Sequence, residues 1–208
     1  MPIPAPIATR VVLADDHALF RDGVRLLLQS QPGYEVVGEV ESLDGLQQML
    51  RTARPDLLLI DQHMPGGDTS ALIRHLKHTT AALRIVVLTG SSSGLVLKQL
   101  VDVQADAVLL KDDSATSFLA HLKSVMAGER VIPPGVRALI GQADGLLTRR
   151  EMQIVKLICD GQSNAEMADT LSLSPKTVDK HRENLMRKLQ VSSVAQLVRK
   201  AHELGWLD

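Results

Sequence analysis

Short apolar runs alternate with segments of helical periodicity through roughly the first three-fifths of the chain. Five runs predict β-strands, at Arg10–Ala14, Glu35–Val40, Leu57–Ile60, Arg84–Thr89 and Ala107–Lys111. The segments that follow them predict helices, at Ala18–Ser30, Leu43–Ala53, Thr69–His78, Leu95–Val103 and Ser114–Ala127. Such alternation implies right-handed crossovers and a parallel sheet covered by helices on both faces. We therefore predict an α/β doubly wound (βα)5 domain over residues 9–128.

The remainder of the chain has a different pattern. Residues 129–145 include Pro133 and Pro134, interrupt the alternation and predict a semi-rigid linker, with a short helix at Val136–Ile140 and a loop from Gly141. From Leu147 onward the periodicity is helical only. Residues 146–208 are therefore predicted to form a second, all-α domain of four helices.

Helix start signals divide this second domain. Two pairs have the spacing of a capping box and a third pair is an N-cap followed by proline: Thr148 with Glu151, Ser163 with Glu166, and Ser174 with Pro175. The third helix is predicted to run to about Leu189, and a fourth over roughly Val194–Leu204. Two short helices, a tight turn and a longer helix are the sequence form of a helix-turn-helix.

The third of these helices has an apolar face and a charged face. The apolar face consists of Val178, Leu185, Met186 and Leu189, and the charged face of Lys176, Asp179, Lys180, Glu183 and Arg187. A charged helix face is most often simply solvated, whereas in a helix-turn-helix it can enter the major groove of DNA. The tight turn and the helix lengths favour the second interpretation.

Composition narrows the classes of protein only a little. A net charge of −1 is no global signature of nucleic-acid binding, so any DNA contact must come from a local face. The single cysteine, Cys159, excludes an internal disulfide framework and a CxxC metal site. The N-terminal segment lacks the pattern of a secretory signal, and no apolar run approaches the roughly 18 residues of a membrane span. We expect a cytoplasmic protein without membrane contact.

Polar side chains lie at the ends of the predicted strands, where open α/β sheets have their chemistry. Asp15 and Asp16 follow the first strand, Asp61 follows the third, Thr89 ends the fourth and Lys111 ends the fifth. Three crowded carboxylates need a hard cation, and oxygen ligands indicate Mg²⁺ or Mn²⁺. This set predicts in-line attack of Asp61 on a phosphoryl group, with the cation and Lys111 stabilising the phosphoryl oxygens.

Each of these residues alone also has an ordinary structural explanation. Asp15 or Asp16 could be the N-cap of the first helix, Asp61 a turn former, and Lys111 a solvated loop residue. Four suitable residue types at four strand ends together favour the phosphoryl site.

Residues 9–128 resemble the receiver domain of two-component response regulators, which has a flavodoxin-like fold. The matching positions are Asp15, Asp16, Asp61, Met64, Pro65, Thr89 and Lys111. The resemblance implies that Asp61 is the phosphoacceptor for a sensor histidine kinase. It also implies that Thr89 turns toward the phosphoryl group as a switch and that Lys111 pairs with that group.

The same resemblance implies the metal ligands. Asp16 would bind Mg²⁺ directly, Asp15 would support the metal site, and Asp61 and the backbone carbonyl of His63 would complete the protein ligands. Gln62 and His63 lie beside the acceptor and are candidates for tuning dephosphorylation, although a plain loop role for His63 is the more ordinary explanation.

Residues 147–207 resemble the LuxR-type helix-turn-helix. The matching positions are Leu147, Thr148, Glu151, Gly161, Ser163, Asn164, Glu166, Ala168, Ser174, Thr177, Val178, His181, Lys188 and Leu189. Together with the receiver pattern, this resembles the NarL/FixJ class of response regulator, a transcription factor rather than an enzyme.

The second resemblance implies a DNA-binding set and a dimer. Asp179, Lys180 and Glu183 would read base edges of promoter DNA. Lys176, Thr177 and Lys188 would contact its phosphates or sugars. Phosphorylation would favour a homodimer on paired half-sites. The stripe of Val194, Leu197, Val198 and Ala201 on the fourth helix is either a dimer face or part of the core.

One position departs from the receiver pattern. The residue three before the lysine is usually aromatic in such receivers, whereas here it is Val108. No phosphorylation ligand is lost, but the coupling from Thr89 normally moves that ring. One alternative is therefore a receiver that is only a structural or dimerisation module. Another is a metal-dependent phosphatase or phosphotransferase, which would need an acid or base at the position of His63 and a substrate cap that this chain lacks.

Overall fold

The computed structural model describes residues 8–143, 147–203 and 206. The strands are β1 (Thr9–Ala14), β2 (Tyr34–Val40), β3 (Leu57–Asp61), β4 (Arg84–Thr89) and β5 (Ala107–Leu110). The helices are α1 (Ala18–Gln29), α2 (Leu46–Ala53), α3 (Thr69–Thr79), α4 (Gly94–Asp102), α5 (Ala115–Met126), α6 (Pro134–Ala143), α7 (Arg149–Cys159), α8 (Asn164–Leu171), α9 (Pro175–Leu189) and α10 (Val194–Glu203).

The five strands form one parallel sheet in the order β2-β1-β3-β4-β5. Every residue of β3 is buried, and so are five of the six residues of β4. Central strands covered on both faces are near-continuous apolar runs, which is why their positions can be recognised in the sequence. The connections run in opposite directions from β1 and β3, so the carboxyl ends of these two strands flank the crevice where such sheets bind their ligands.

The core on one face of the sheet is mainly aliphatic, with Phe118 as the aromatic residue among its buried, described members. Side chains of β1, β3 and β4 pack there against α1 and α5, through Leu28, Phe118, Leu122 and Val125 among others. At the edge of the sheet where the strands begin, Asp106 forms ion pairs with Lys77 and Arg84. The predicted (βα)5 fold class is confirmed.

Two boundaries differ from the sequence prediction. Helix α2 begins at Leu46, after Gly45, rather than at Leu43, whose backbone amide donates to the carbonyl of Pro65 at 2.8 Å. The predicted loop from Gly141 was also wrong for its first residues, since α6 continues to Ala143. Residues 144–145 of that predicted loop lie outside the described residues.

The segment after α5 contains more structure than its prolines suggested. Val131 forms an isolated parallel bridge with Ala107, because the edge strand β5 has free backbone groups to pair. Pro134 is the first residue of α6, a position where proline is favoured because its fixed φ matches the helix and its missing N–H is not needed. The predicted bounds of the linker, residues 129–145, remain a prediction.

Contacts divide the chain into two compact units. One comprises residues up to Gly90 together with Lys98–Val136, and the other comprises Ser91–Leu97 together with residues from Arg137 onward. Among the described residues, no helix is long and apolar enough to cross a membrane.

Helices α7 to α10 pack around their own aliphatic core. Ile154, Val155, Met167, Val178 and Leu185 are at its centre. Both predicted capping boxes form, and the side chain of Ser174 accepts a hydrogen bond from the backbone of Thr177 at the start of α9. The local polar signals therefore set the helix starts, as the sequence predicted.

The apolar stripe of α10 belongs largely to this core. Leu197 and Ala201 are fully buried, whereas Val194 is exposed. Of the two interpretations of the stripe, the core interpretation is therefore correct for Leu197 and Ala201.

Replacing Leu59 by alanine should destabilise the sheet domain by about 2–5 kcal/mol, because this side chain of β3 is 1% exposed and its loss leaves a cavity. The matched control is Leu26→Ala on α1, where the leucine is 63% exposed and a change below about 0.5 kcal/mol is expected. Urea unfolding followed by circular dichroism checks both. Equal losses in the two variants would contradict the assigned core.

Candidate functional site

Backbone register places the acidic residues of the sheet side by side. Ala14 of β1 pairs with Ile60 of β3, so the next residues, Asp15 and Asp61, leave the sheet together at its carboxyl edge. Lys111 follows β5 at the same edge, and its backbone amide donates to the carbonyl of Thr89. The strand ends thus converge as the sequence predicted.

Lys111 bridges the two buried acids. Its Nζ lies 2.7 Å from Asp61 Oδ2 and 2.9 Å from Asp15 Oδ2, and both carboxylate side chains are only 4% exposed. The same ammonium lies 4.8 Å from the centroid of the Phe20 ring, within the range of a cation–π contact. A single cation therefore compensates two carboxylates in a partly desolvated pocket, where charge interactions are stronger than in water.

His17 is a member of this cluster that the sequence analysis did not identify. Its Nδ1 lies 2.8 Å from Asp16 Oδ1, 3.3 Å from Asp15 Oδ1 and 3.5 Å from Asp61 Oδ2. Its backbone amide also donates to Asp15 Oδ1 at 2.9 Å. The only signal in the sequence was its position directly after two aspartates, which is too common to carry a prediction.

The side chains present fit a divalent cation. Asp15, Asp16, His17 and Asp61 can each offer one ligand atom, and these atoms all lie within 4.8 Å of one another. Asp15 Oδ2 is buried and accepts no hydrogen bond from the part of the chain that the structure describes, although the Lys111 charge lies close to it. A donor set dominated by carboxylates, with one buried oxygen lacking a hydrogen bond, suits a hard metal ion.

The backbone of His63 and the side chain of Thr89 each form a hydrogen bond with a residue at the end of β3. The His63 backbone amide donates to Asp61 Oδ1 at 3.4 Å, a weak contact. Thr89 is fully buried at the end of β4, and its hydroxyl donates to the side-chain carbonyl of Gln62 at 2.5 Å. The predicted switch residue is thus hydrogen-bonded to the residue that follows Asp61.

The second candidate site is the charged face of α9. All five of its residues are exposed: Lys176, Asp179, Lys180, Glu183 and Arg187. Of the other predicted DNA contacts on this helix, Lys188 is exposed, and Thr177 is half-buried with its hydroxyl hydrogen-bonded to that of Ser174. The predicted face therefore lies at the surface, with three cationic and two acidic side chains.

Asp179 is tied to the preceding helix. The amide of Asn164, the first residue of α8, donates to Asp179 Oδ1, and Arg182 donates to the carbonyl oxygen of the same amide. This chain of hydrogen bonds links α8 to α9 across the tight turn. Sequence reasoning placed Asp179 on the outer face but missed its partner, because the pairing depends on the angle between the helices.

Lys188 is tied to α7 through Glu151. Its Nζ lies 2.7 Å from Glu151 Oε2, and Glu151 is a buried residue of the first capping box. Burial alone would raise the pKa of Glu151. The hydrogen bonds from Lys188 and Thr148, together with the Lys188 charge, outweigh that effect and lower this pKa below its ordinary value. The predicted phosphate-contacting lysine therefore also has a structural partner.

These features define a class of protein: an acidic pocket with a lysine at the switch point of an α/β sheet, joined to a helix-turn-helix. Two protein-family models match successive parts of the chain and agree with this class. Residues 11–123 match the response regulator receiver domain, and residues 145–201 match the bacterial regulatory proteins of the luxR family. The chain belongs to the two-component response regulators with a LuxR-type helix-turn-helix.

Full-length relatives support this assignment. The chain is 33% identical over 191 residues to a nitrate/nitrite response regulator protein homolog of Haemophilus influenzae, covering 88% of this chain and 91% of that protein. It is 32% identical over 200 residues to the nitrate/nitrite response regulator protein NarP of Escherichia coli, covering 92% and 93%.

Solved structures of RcsB are similar over almost the whole chain. A structure of two RcsB dimers bound to two parallel DNAs matches with a TM-score of 0.70 and 27% identity, covering 95% of this chain and 99% of that one. RcsB from Salmonella enterica serovar Typhimurium, bound to promoter rprA with the phosphomimetic BeF3-, matches with a TM-score of 0.68 and 28% identity, covering 92% and 97%. The predicted class of transcription regulator is confirmed.

Replacing Lys188 by methionine should lower the free energy of unfolding of the helix-turn-helix domain at pH 7 by about 1–3 kcal/mol, because Glu151 would lose a charged hydrogen-bond partner. Lys180→Met on the exposed face of the same helix should have little effect. Urea unfolding of both variants provides the comparison.

The pH dependence has a definite sign. The folded pKa of Glu151 is lowered, so its contribution to stability is present above the unfolded pKa and is lost as pH falls through the folded value. Stability of this domain should decline below about pH 4.5, and the Glu151 part of that decline should be smaller in Lys188→Met. The same acid dependence in both proteins would show that the ion pair does not contribute.

Proposed function

We propose that this response regulator accepts a phosphoryl group on Asp61 from a sensor histidine kinase and binds promoter DNA through α9. The observation that carries the first part is the placement of Lys111 against both Asp61 and Asp15 at the switch point of the sheet. A nucleophilic carboxylate, a fixed cation and a cluster able to hold a metal are the components that phosphoryl transfer to an acid requires.

The transfer itself uses few protein groups. A carboxylate oxygen of Asp61 forms a bond to phosphorus while the bond from phosphorus to the kinase histidine nitrogen breaks. The electron pair of that bond stays on the imidazole, which takes up a proton. Lys111 lies close enough to Asp61 to stabilise the negative charge on the transferring phosphoryl oxygens.

The proposed metal is Mg²⁺, or Mn²⁺ in its place, held by Asp16 and Asp61 with Asp15 in support and the backbone carbonyl of His63 as a further ligand. When bound, the ion supplies positive charge that neutralises phosphoryl oxygens and reduces repulsion among the carboxylates. The fit of the acidic cluster supports this assignment.

We further propose that Asp179, Lys180 and Glu183 read base edges, while Lys176, Thr177 and Lys188 contact the DNA backbone. Lys176 and Lys180 are the strongest of these candidates, because Asp179 and Lys188 already have partners on α8 and α7. The two acids on this face can accept hydrogen bonds from cytosine amino groups or repel unsuitable sequences.

The proposal includes a homodimer that forms on phosphorylation, in the cytoplasm. The RcsB dimers on DNA support the dimer, since a single helix-turn-helix covers only one half-site.

Val108 supports a specific alternative: it is a buried valine of β5 at a position that usually carries the coupling aromatic ring, so the receiver could serve only as a structural module.

Incubation with acetyl phosphate and Mg²⁺ should add the mass of one phosphoryl group to the wild type and none to Asp61→Ala, because the acceptor oxygen is removed. Asp22→Asn, an exposed acid on α1, is the matched control and should accept phosphate as the wild type does. Intact-mass spectrometry gives the result. Equal labelling of Asp61→Ala would move the acceptor elsewhere.

The same samples separate the proposed switch from the structural-module alternative. Dimer formation by size-exclusion chromatography and tighter DNA binding in the labelled wild type would support the switch. Labelling with no change in either property would show that phosphorylation occurs without being coupled to dimer formation or DNA binding, as Val108 suggests.

Lys176→Ala should weaken DNA binding about equally for all sequences and reduce the slope of log K against log salt by about one, because a phosphate contact releases a counterion. Lys156→Ala, an exposed lysine on α7, should leave the slope unchanged. Fluorescence anisotropy over a salt series measures both slopes. An unaltered slope in Lys176→Ala would remove this residue from the proposed interface.

A further inference from the structure

The residue after the acceptor is an amide in this chain, and it contacts the proposed switch residue. The Gln62 backbone amide donates to the carbonyl of Leu88 at 2.8 Å, beside the last pair of β3 with β4, Asp61 with Leu88. Gln62 directly follows β3 and Thr89 is the last residue of β4, so the two residues lie next to each other. Their side chains meet, with Thr89 Oγ1 donating to Gln62 Oε1 at 2.5 Å.

A hydroxyl group has one proton to donate, which makes this contact exclusive. While Thr89 donates to Gln62, the same proton is not available to an oxygen on Asp61. Thr89 is fully buried, so water outside the protein is poorly placed to replace a lost partner. The contact with Gln62 and donation to a phosphoryl oxygen are thus competing states of one hydroxyl group.

We propose that Gln62 is a positioning residue that holds the Thr89 hydroxyl in the resting state, and that phosphorylation of Asp61 must displace this hydrogen bond. The inference rests on the proposed function of Asp61 and Thr89. It assigns Gln62 a role that the acceptor, metal and lysine positions do not include. The role requires a side chain with a hydrogen-bond acceptor, which the Gln62 Oε1 supplies.

The energetic consequence has a clear direction. A phosphoryl oxygen carries charge and is the stronger acceptor, so the Thr89 hydroxyl donates to it once Asp61 is phosphorylated. Breaking the Gln62 contact subtracts from that gain, because a neutral hydrogen bond has a modest net stability. Removing the accepting oxygen of Gln62 should therefore make the activated state easier to reach.

The first test uses Gln62→Met, which keeps the length of the side chain but has no accepting oxygen. In the presence of Mg²⁺, its affinity for the phosphoryl analogue BeF3- should rise about two- to tenfold over wild type. Gln48→Met, at an exposed position on α2, is the matched control and should bind as the wild type does. Isothermal titration calorimetry gives the affinities.

A double-mutant cycle excludes a general effect of methionine near the pocket. In a Thr89→Val background the hydroxyl is absent, so Gln62→Met should no longer change the affinity for BeF3-. An equal gain with and without the Thr89 hydroxyl would overturn the proposal, and so would an affinity unchanged by Gln62→Met.

The resting contact can also be tested without any phosphoryl analogue. Methyl and scalar-coupling NMR of Thr89 should show one side-chain rotamer in the wild type and rotamer averaging in Gln62→Met. The same single rotamer in both proteins would overturn the role of Gln62. If the wild type bound no BeF3- and accepted no phosphate, the proposed function would fail, whereas this rotamer comparison would still decide whether Gln62 holds Thr89.

Discussion

The ionic contact between Lys111 and two buried aspartates is the interaction on which the functional edge of the sheet depends. Asp15 and Asp61 leave neighbouring strands side by side, and each is almost fully removed from solvent. Two such carboxylates repel each other strongly unless a cation lies between them. Lys111 supplies that cation from β5, across the width of β4, and so links three strand ends in one electrostatic unit.

This arrangement explains how the domain can keep two acids buried side by side. The apolar strands hold the backbone rigidly, and the lysine compensates the charge that the acids bring into the pocket. A bound metal ion would share this task at the outer side of the cluster, where Asp16 and His17 lie. The hydroxyl of Thr89, engaged by Gln62, lies at the same edge of the sheet as these charges.

The helix-turn-helix uses polar contacts for a different purpose. Glu151 with Lys188 joins α7 to α9, and Asn164 with Asp179 joins α8 to α9. Both contacts fix the angle at which α9 presents its outer face. Asp179 and Lys188 therefore contribute to the structure of the domain, which separates them from Lys176 and Lys180 as candidates for DNA recognition.

Much of this protein follows from its sequence. Continuous apolar runs mark β3 and β4 because these strands are buried on both faces, and capping boxes mark α7 and α8 because they satisfy backbone groups locally. Asp15, Asp61 and Lys111 could be predicted to converge, since parallel strands all end at one edge of the sheet. Only the tertiary structure decided which side chains pair when they are distant in sequence or when nothing in their local sequence marks them. His17 among the aspartates, Gln62 with Thr89, and Lys188 with Glu151 depend on strand register, helix angle and rotamer, which no local pattern encodes.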